Sequence, residues 1–148
     1  MPTSLADVCS LFDRYGYKYH QHDERTLLIA LRGTSLDFTL GARLDRSWLS
    51  LSIVKHLPVI PADRREEVCA YLLRLNHQIT FVRFALESDA DIALLADLPA
   101  QEKPDYDLFA MAVDLITFYA DDSYRYLYQL ITGGEPAKDD MNEDRDVG

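Results

Sequence analysis

Residues 26–54 constrain this chain more than any other stretch, because three apolar-alternating segments follow one another there with almost no spacer. They run over 26–32, 35–44 and 48–54. In the second, Leu36, Phe38 and Leu40 alternate with Asp37 and Thr39; in the third, Leu49, Leu51 and Ile53 alternate with Ser50 and Ser52. A period of two sends successive side chains to opposite faces of a strand, so each segment is apolar on one side. Gly33 with Thr34, and residues 45–47, are tight-turn signals, which makes neighbours in sequence neighbours in an antiparallel meander. The apolar face of such a sheet needs a cover, and the flanking segments are helical in pattern.

The first helix is expected over 5–15. Ser4 is placed to cap it with Asp7 three residues on, Leu5, Val8, Leu11, Phe12 and Tyr15 recur at helical spacing, and Gly16 stops it. A short strand over 17–20 follows. Gly41 marks a bulge or bend inside the longest strand. Pro58 and Pro61 end the sheet-forming run, and a second helix over 62–77 carries Val68, Cys69, Tyr71, Leu72 and Leu75 along one side. Segments 80–87 and 91–96 form a second hairpin, and 98–104 is a connector. The last helix starts behind Asp105 and runs to about residue 131, with Asp121, Asp122 and Ser123 as candidates for a break or kink and Gly133 as the stop. With the short 17–20 segment left out of the count, five strands with helices laid on one face define an α+β fold of two layers, in the order α-β-β-β-α-β-β-α.

A chain of 148 residues, 48% of them apolar, suits one domain, expected over 1–132. Residues 133–148 are polar, lack aromatics and hold six acids against two bases, which predicts a disordered acidic tail. Cys9 and Cys69 have no CxxC spacing and sit in helical patterns, so they read as reduced, structural thiols. The N-terminus has no basic segment followed by an apolar one, and no apolar run approaches the ~20 residues of a membrane span, which together point to the cytoplasm. The formal charge of −10 argues against direct binding to nucleic acid or an anionic membrane, and favours encounter with a basic protein.

The sequence of elements carries a resemblance. An amphipathic first helix, a meander ended by Pro58, a helix closing on Leu75 and Asn76, a strand over 81–86, a hairpin to Ile92, the step Leu98 to Pro99 and a long final helix resemble the YbjN family over roughly residues 3–132. That family is sometimes labelled a bacterial sensory transduction regulator, and its fold is similar to that of type III secretion chaperones. Asp89, Ala90 and Asp91 stand where members often have an Asp-Gly turn. The resemblance implies a small cytoplasmic homodimer that binds another protein and performs no chemistry; separately, neither cofactor nor metal is expected.

Among residues that carry chemistry, His20 and His22 come nearest to a metal site, since an HxH pair on a strand puts both imidazoles on one face beside Asp23 and Glu24. A third ligand at a defined spacing is missing. The plainer reading is an exposed surface pair; the alternative function is a metal-dependent enzyme using both histidines. His56 reads as a strand-end residue and His77 as one at a helix C-terminus. Cys9 suits a packed thiol better than a nucleophile, and no GxSxG, glycine-rich phosphate loop or HExxH occurs. Asp121 with Asp122, and Asp139 with Asp140, read as helix surface and tail.

The last helix is more informative. On a 100° wheel, Leu108, Phe109, Ala112, Leu115, Ile116, Tyr119, Tyr126, Leu127 and Leu130 gather on the side expected to face the sheet. Met111 and Phe118, seven apart, instead project among Asp107, Asp114, Asp121, Arg125 and Gln129. Large apolar residues on a charged side mark a contact surface, which Tyr124 and Tyr128 extend, and Trp48 is a further candidate anchor. A second subunit also covers sheet edges. These residues point to a non-enzymatic, homodimeric, chaperone-like module for a basic protein client, with a single-stranded DNA-binding protein as the first candidate.

Overall fold

The alternation along residues 26–54 becomes an uninterrupted antiparallel ladder in the computed structural model, which describes residues 2–88 and 90–134. Strand β2 (Thr26–Arg32) pairs with β3 (Asp37–Asp45), and β3 pairs with β4 (Trp48–Val54). A two-residue β1 (His20–Gln21) lies outside β2, while β5 (Arg83–Leu86) and β6 (Ile92–Pro99) complete an antiparallel sheet ordered β1-β2-β3-β4-β6-β5. The five strands of the expected order are joined by a sixth, β1, at the sheet edge. The expected strand over 17–20 shrinks to β1 and shifts later, because Tyr17 and Tyr19 are drawn to the first helix: Tyr17 stacks on Tyr15 at 5.2 Å and Tyr19 lies 6.3 Å from Phe12.

Register explains the core. Ile29, Leu40, Ile53, Leu94 and Phe84 stand side by side across five strands, and all five are buried. The rows on either side repeat the pattern, with Leu27, Ala42, Leu51 and Ala96 in one of them. Helices α1 (Leu5–Tyr15), α2 (Arg65–Gln78, entered through a 3-10 turn, Ala62–Arg64) and α3 (Tyr106–Thr132) supply the cover. Val8 and Phe12, Val68 and Leu72, and Phe109, Val113, Ile116 and Leu127 meet the sheet residues in one cluster. Burying each such side chain contributes about 1.5–3 kcal/mol, which makes this layer contact the main stabilising feature. The other sheet face stays open and polar: Ser50 donates to Asp97 at 2.6 Å, and Arg83 pairs with Asp97 at 2.8 Å, linking β4, β6 and β5.

Local chemistry sets the helix ends. Ser4 Oγ accepts from Asp7 N at 3.2 Å while Asp7 Oδ2 accepts from Ser4 N at 2.9 Å, a reciprocal box that satisfies two otherwise orphan donors. Gly16 then takes a left-handed φ of 101°, open to glycine at little cost. Asp105 caps α3 by accepting from Leu108 N at 3.2 Å. At its far end Arg64 donates to Leu130 O at 3.1 Å, placing a cation on the negative pole of the helix.

Three expectations need correction. Gly41 makes no bulge: it pairs in register with Leu28 and Ser52. Leu98 and Pro99 are not a connector, since β6 runs through both and Pro99 closes it opposite Trp48, at the strand end where a missing N–H costs little. Helix α3 is continuous through Asp121, Asp122 and Ser123, for Ser123 Oγ turns back onto Tyr119 O at 2.7 Å and Asp121 bonds outside the helix. The expected tail, 133–148, lies outside the described residues beyond Gly134.

Candidate protein-docking surface

A helix laid on a sheet buries only part of its circumference, so a 27-residue α3 must offer the rest to solvent or to a partner. Its buried arc holds Phe109, Ala112, Val113, Ile116, Ala120, Tyr124, Leu127 and Ile131. The opposite arc carries Asp107, Met111, Asp114, Phe118 and Asp122, all exposed. Met111 is 51% and Phe118 59% exposed, two turns and roughly 10 Å apart along the helix. Phe118 leans edge-on against Tyr119, ring centroids 5.5 Å apart, which limits its freedom and lowers the entropy lost on contact. Farther along, exposed Tyr126 lies 4.8 Å from Tyr71 of α2.

The acids around this patch are partly fixed in place. The Tyr15 hydroxyl donates to Asp114, tying α1 to α3, and burial, reinforced by that bond, raises the phenol above its ordinary range. Asp121 Oδ1 accepts from Ser35 N at 2.6 Å. A Cβ on Gly33 would fall 2.5 Å from both Leu36 O and Phe38 Cε2, and 2.9 Å from the Asp121 carboxylate, so the β2–β3 turn is closed down onto α3. Asp121 is thus a brace for the hairpin rather than simple helix surface.

The structure brings together some of the residues singled out from sequence and separates others. Met111 and Phe118 share one exposed arc. Tyr124, expected beside them, is only 8% exposed and points into the core. Leu108 and Tyr126, expected against the sheet, are exposed instead. The buried arc is rotated relative to the wheel, so that Val113, Ala120, Ser123 and Tyr124 face the core while Leu108 and Tyr126 are turned outward. Tyr128 is half-buried, 5.8 Å from Tyr124. Trp48 is exposed but belongs to the open face of the sheet, alternating with Leu49, on the side away from the helices.

The histidines do not converge. His20 sits on β1 and His22 in the turn after it, where His22 N donates to Thr26 O at 2.9 Å and Asp23 is engaged by Arg25 N at 2.8 Å. Among the described residues no group of three or more His, Cys, Asp or Glu is placed to hold a metal ion, so that pair gains no third ligand. His56, expected at a strand end, lies two residues beyond β4; both its ring nitrogens are buried without a hydrogen-bond partner among the described residues, and burial lowers its pKa to about 4. Among the described residues no helix is long and apolar enough to cross a membrane.

Comparison with known proteins adds to this geometry. The profile of the YbjN family, described as "Putative bacterial sensory transduction regulator", matches residues 4–129. A chain of the heterodimeric ExoU–SpcU complex from the type III secretion system of Pseudomonas aeruginosa is similar with a TM-score of 0.56 at 16% identity, over 84% of this chain and 98% of that one. YbjN from E. coli is similar with a TM-score of 0.60 at 12% identity, over 83% of this chain and 92% of its own. Both likenesses are of fold: helices laid on one face of an antiparallel sheet. No curated protein matches the sequence.

Proposed function

The chain belongs to the YbjN family, and on that premise we propose that it is a non-enzymatic, cytoplasmic, homodimeric module that binds a protein client in the manner of a chaperone. The observation that carries this reading is the acid-flanked pair Met111 and Phe118, held outward on a helix whose other side is locked into the core. Desolvating two large apolar side chains supplies affinity, while Asp107, Asp114 and Asp122 select a partner of opposite charge. The client is therefore a basic protein, with a single-stranded DNA-binding protein as the first one to try. The fold shared with a chain of a two-protein secretion complex supports a binding role. No direct contact with nucleic acid is part of this reading, given the net charge of −10.

The test is affinity purification with the wild type and with a Met111→Asp, Phe118→Asp double variant. The expected result is a basic protein recovered by the first and lost by the second. Equal recovery of every partner by both forms overturns the patch as the binding surface.

A further inference from the structure

The outward side of α3 holds more than Met111 and Phe118. Leu108 is 37% exposed, and Leu115 is half-buried at the margin of the core. Positions 108, 111, 115 and 118 recur at spacings of three, four and three, the interval of a coiled-coil seam, over roughly 15 Å of helix. An aspartate stands one residue before each of Leu108, Leu115 and Asp122: Asp107, Asp114 and Asp121, seven apart, line one edge of the seam. Asp114 is held by the Tyr15 hydroxyl and Asp121 by Ser35 N, so most of this row is fixed before a partner arrives. The other edge turns toward the fold, with Ala112 buried and Tyr119 half-buried. Helix α3 thus presents half of a helix pair, apolar along the middle and acidic on its one open flank.

The shape of this surface decides what covers it. An exposed helix face is a convex ridge, and another helix meshes with it while bonding its own N–H and C=O groups internally. An extended segment laid along α3 would lose water from its backbone and find no donor or acceptor in return, since the backbone groups of α3 are spent within the helix. A second copy of α3 is a poor fit. Antiparallel, it sets one aspartate row against the other; parallel, it sets that row against the flank its partner has turned into the core.

We propose that the occupant is an amphipathic helix of the client, with large apolar residues at spacings of three and four against the seam from Leu108 to Phe118, and lysine or arginine every seventh residue facing Asp107, Asp114 and Asp121. This rests on the client-binding reading above and adds the conformation and spacing of what is bound.

The probe is a synthetic peptide of three heptads with leucine at both seam positions and lysine on both flanks, which repels its own copies and suits either orientation. A control peptide has the same composition in an order that breaks the spacing, and hence the same charge. Fluorescence anisotropy reads affinity, circular dichroism of the mixture against its components reads helix formed on binding, and melting curves confirm that each variant folds. The heptad peptide is expected to bind at least about tenfold more tightly than the control and to gain helix. Leu108→Asp, and Met111→Asp with Phe118→Asp, each bring its affinity down to that of the control. Asp107→Lys weakens the lysine peptide and strengthens one with glutamate on its flanks. Equal affinity for the two lysine peptides, a bound peptide that gains no helix, or an affinity that Leu108→Asp leaves unchanged overturns the helical client alone, and the docking surface stands if the affinity purification above loses its basic protein in the double variant. Equal recovery by both forms in that purification overturns the surface and the helix together.

Discussion

The carboxamide of Asn76 grips the backbone of Phe84 from both directions: its Oδ1 accepts from Phe84 N at 2.7 Å and its Nδ2 donates to Phe84 O at 3.0 Å. Phe84 lies on β5, the edge strand, opposite Leu94 of β6. One side chain at the end of α2 therefore stands in for the missing neighbour strand. It satisfies both backbone groups and blunts an edge that would otherwise template pairing with another chain.

Asn76→Ala is expected to lower the free energy of unfolding by about 2 kcal/mol, since two half-buried hydrogen bonds are lost and an N–H and a C=O are left to find water. Asn76→Asp keeps the acceptor but sets a carboxylate oxygen against Phe84 O, so it is expected to cost at least as much as alanine. Urea unfolding checks both. An Asn76→Ala variant as stable as the wild type removes the clamp from the list of stabilising features.

Asp121 makes the corresponding link between the β2–β3 turn and α3. Replacing it with alanine leaves Ser35 N without its charged acceptor, at an expected cost of about 1–3 kcal/mol, while asparagine retains an oxygen in place and costs less. Gly33→Ala is expected to be destabilising for a different reason, because its Cβ meets the backbone oxygen of Leu36 rather than a movable side-chain end. Thermal unfolding of the three variants checks the order, and an Asp121→Asn more damaging than Asp121→Ala contradicts the acceptor role.

Much of this fold is legible in the sequence because the cues repeat. The alternation through Leu49, Leu51 and Ile53 is written in the same period as that of Phe38 and Leu40, and a one-residue slip would expose the whole set. The cap at Ser4 with Asp7 and the stop at Gly16 are likewise local. Tyr124, Asp121 and His56 were not legible, because their places depend on how elements dock. The arc of α3 that docks on the sheet includes Val113, Ala120 and Ser123 and turns Tyr124 inward. Asp121 looks like one acid among several until the turn at Ser35 is brought beneath it. His56 is buried by a packing that no spacing encodes. Of the exposed apolar residues, the seven-residue interval from Met111 to Phe118 was readable, whereas the exposure of Leu73 was not, since it sits in a helix whose sequence pattern promised an ordinary amphipath.

Buried His56 makes stability depend on pH. Its ordinary value near 6.5 falls to about 4 in the folded chain, because burial disfavours the charged ring. The unfolded chain takes up a proton below about 6.5, and the folded chain does not until about pH 4, so protons pull toward unfolding across that window. The stabilisation is fully present above the unfolded value and is lost as the pH drops, amounting to about 3 kcal/mol by pH 4. His56→Phe keeps a ring beside Phe38, 6.2 Å from the present imidazole, and removes the proton site. The unfolding free energy of the wild type minus that of the variant is expected to fall as the pH goes from 7.5 to 4.5. A difference that stays constant with pH rules out His56 as the source.

The α3 patch carries the last prediction, because binding and folding should separate there. Met111 and Phe118 make few core contacts, so replacing both with aspartate is expected to change stability by less than about 1 kcal/mol. Val113, two positions after Met111 but fully buried, gives the contrast: Val113→Asp puts an unpaired carboxylate into the core and is expected to unfold the domain or cost well over 3 kcal/mol. If the patch docks a basic protein, the double aspartate variant loses the apolar anchors while gaining negative charge, so any residual binding becomes more sensitive to salt. Calorimetric titration of the recovered client at two ionic strengths, beside melting curves of all three proteins, checks this. A double variant that melts like the wild type but no longer binds places the function on this arc; one that binds normally moves the client site elsewhere.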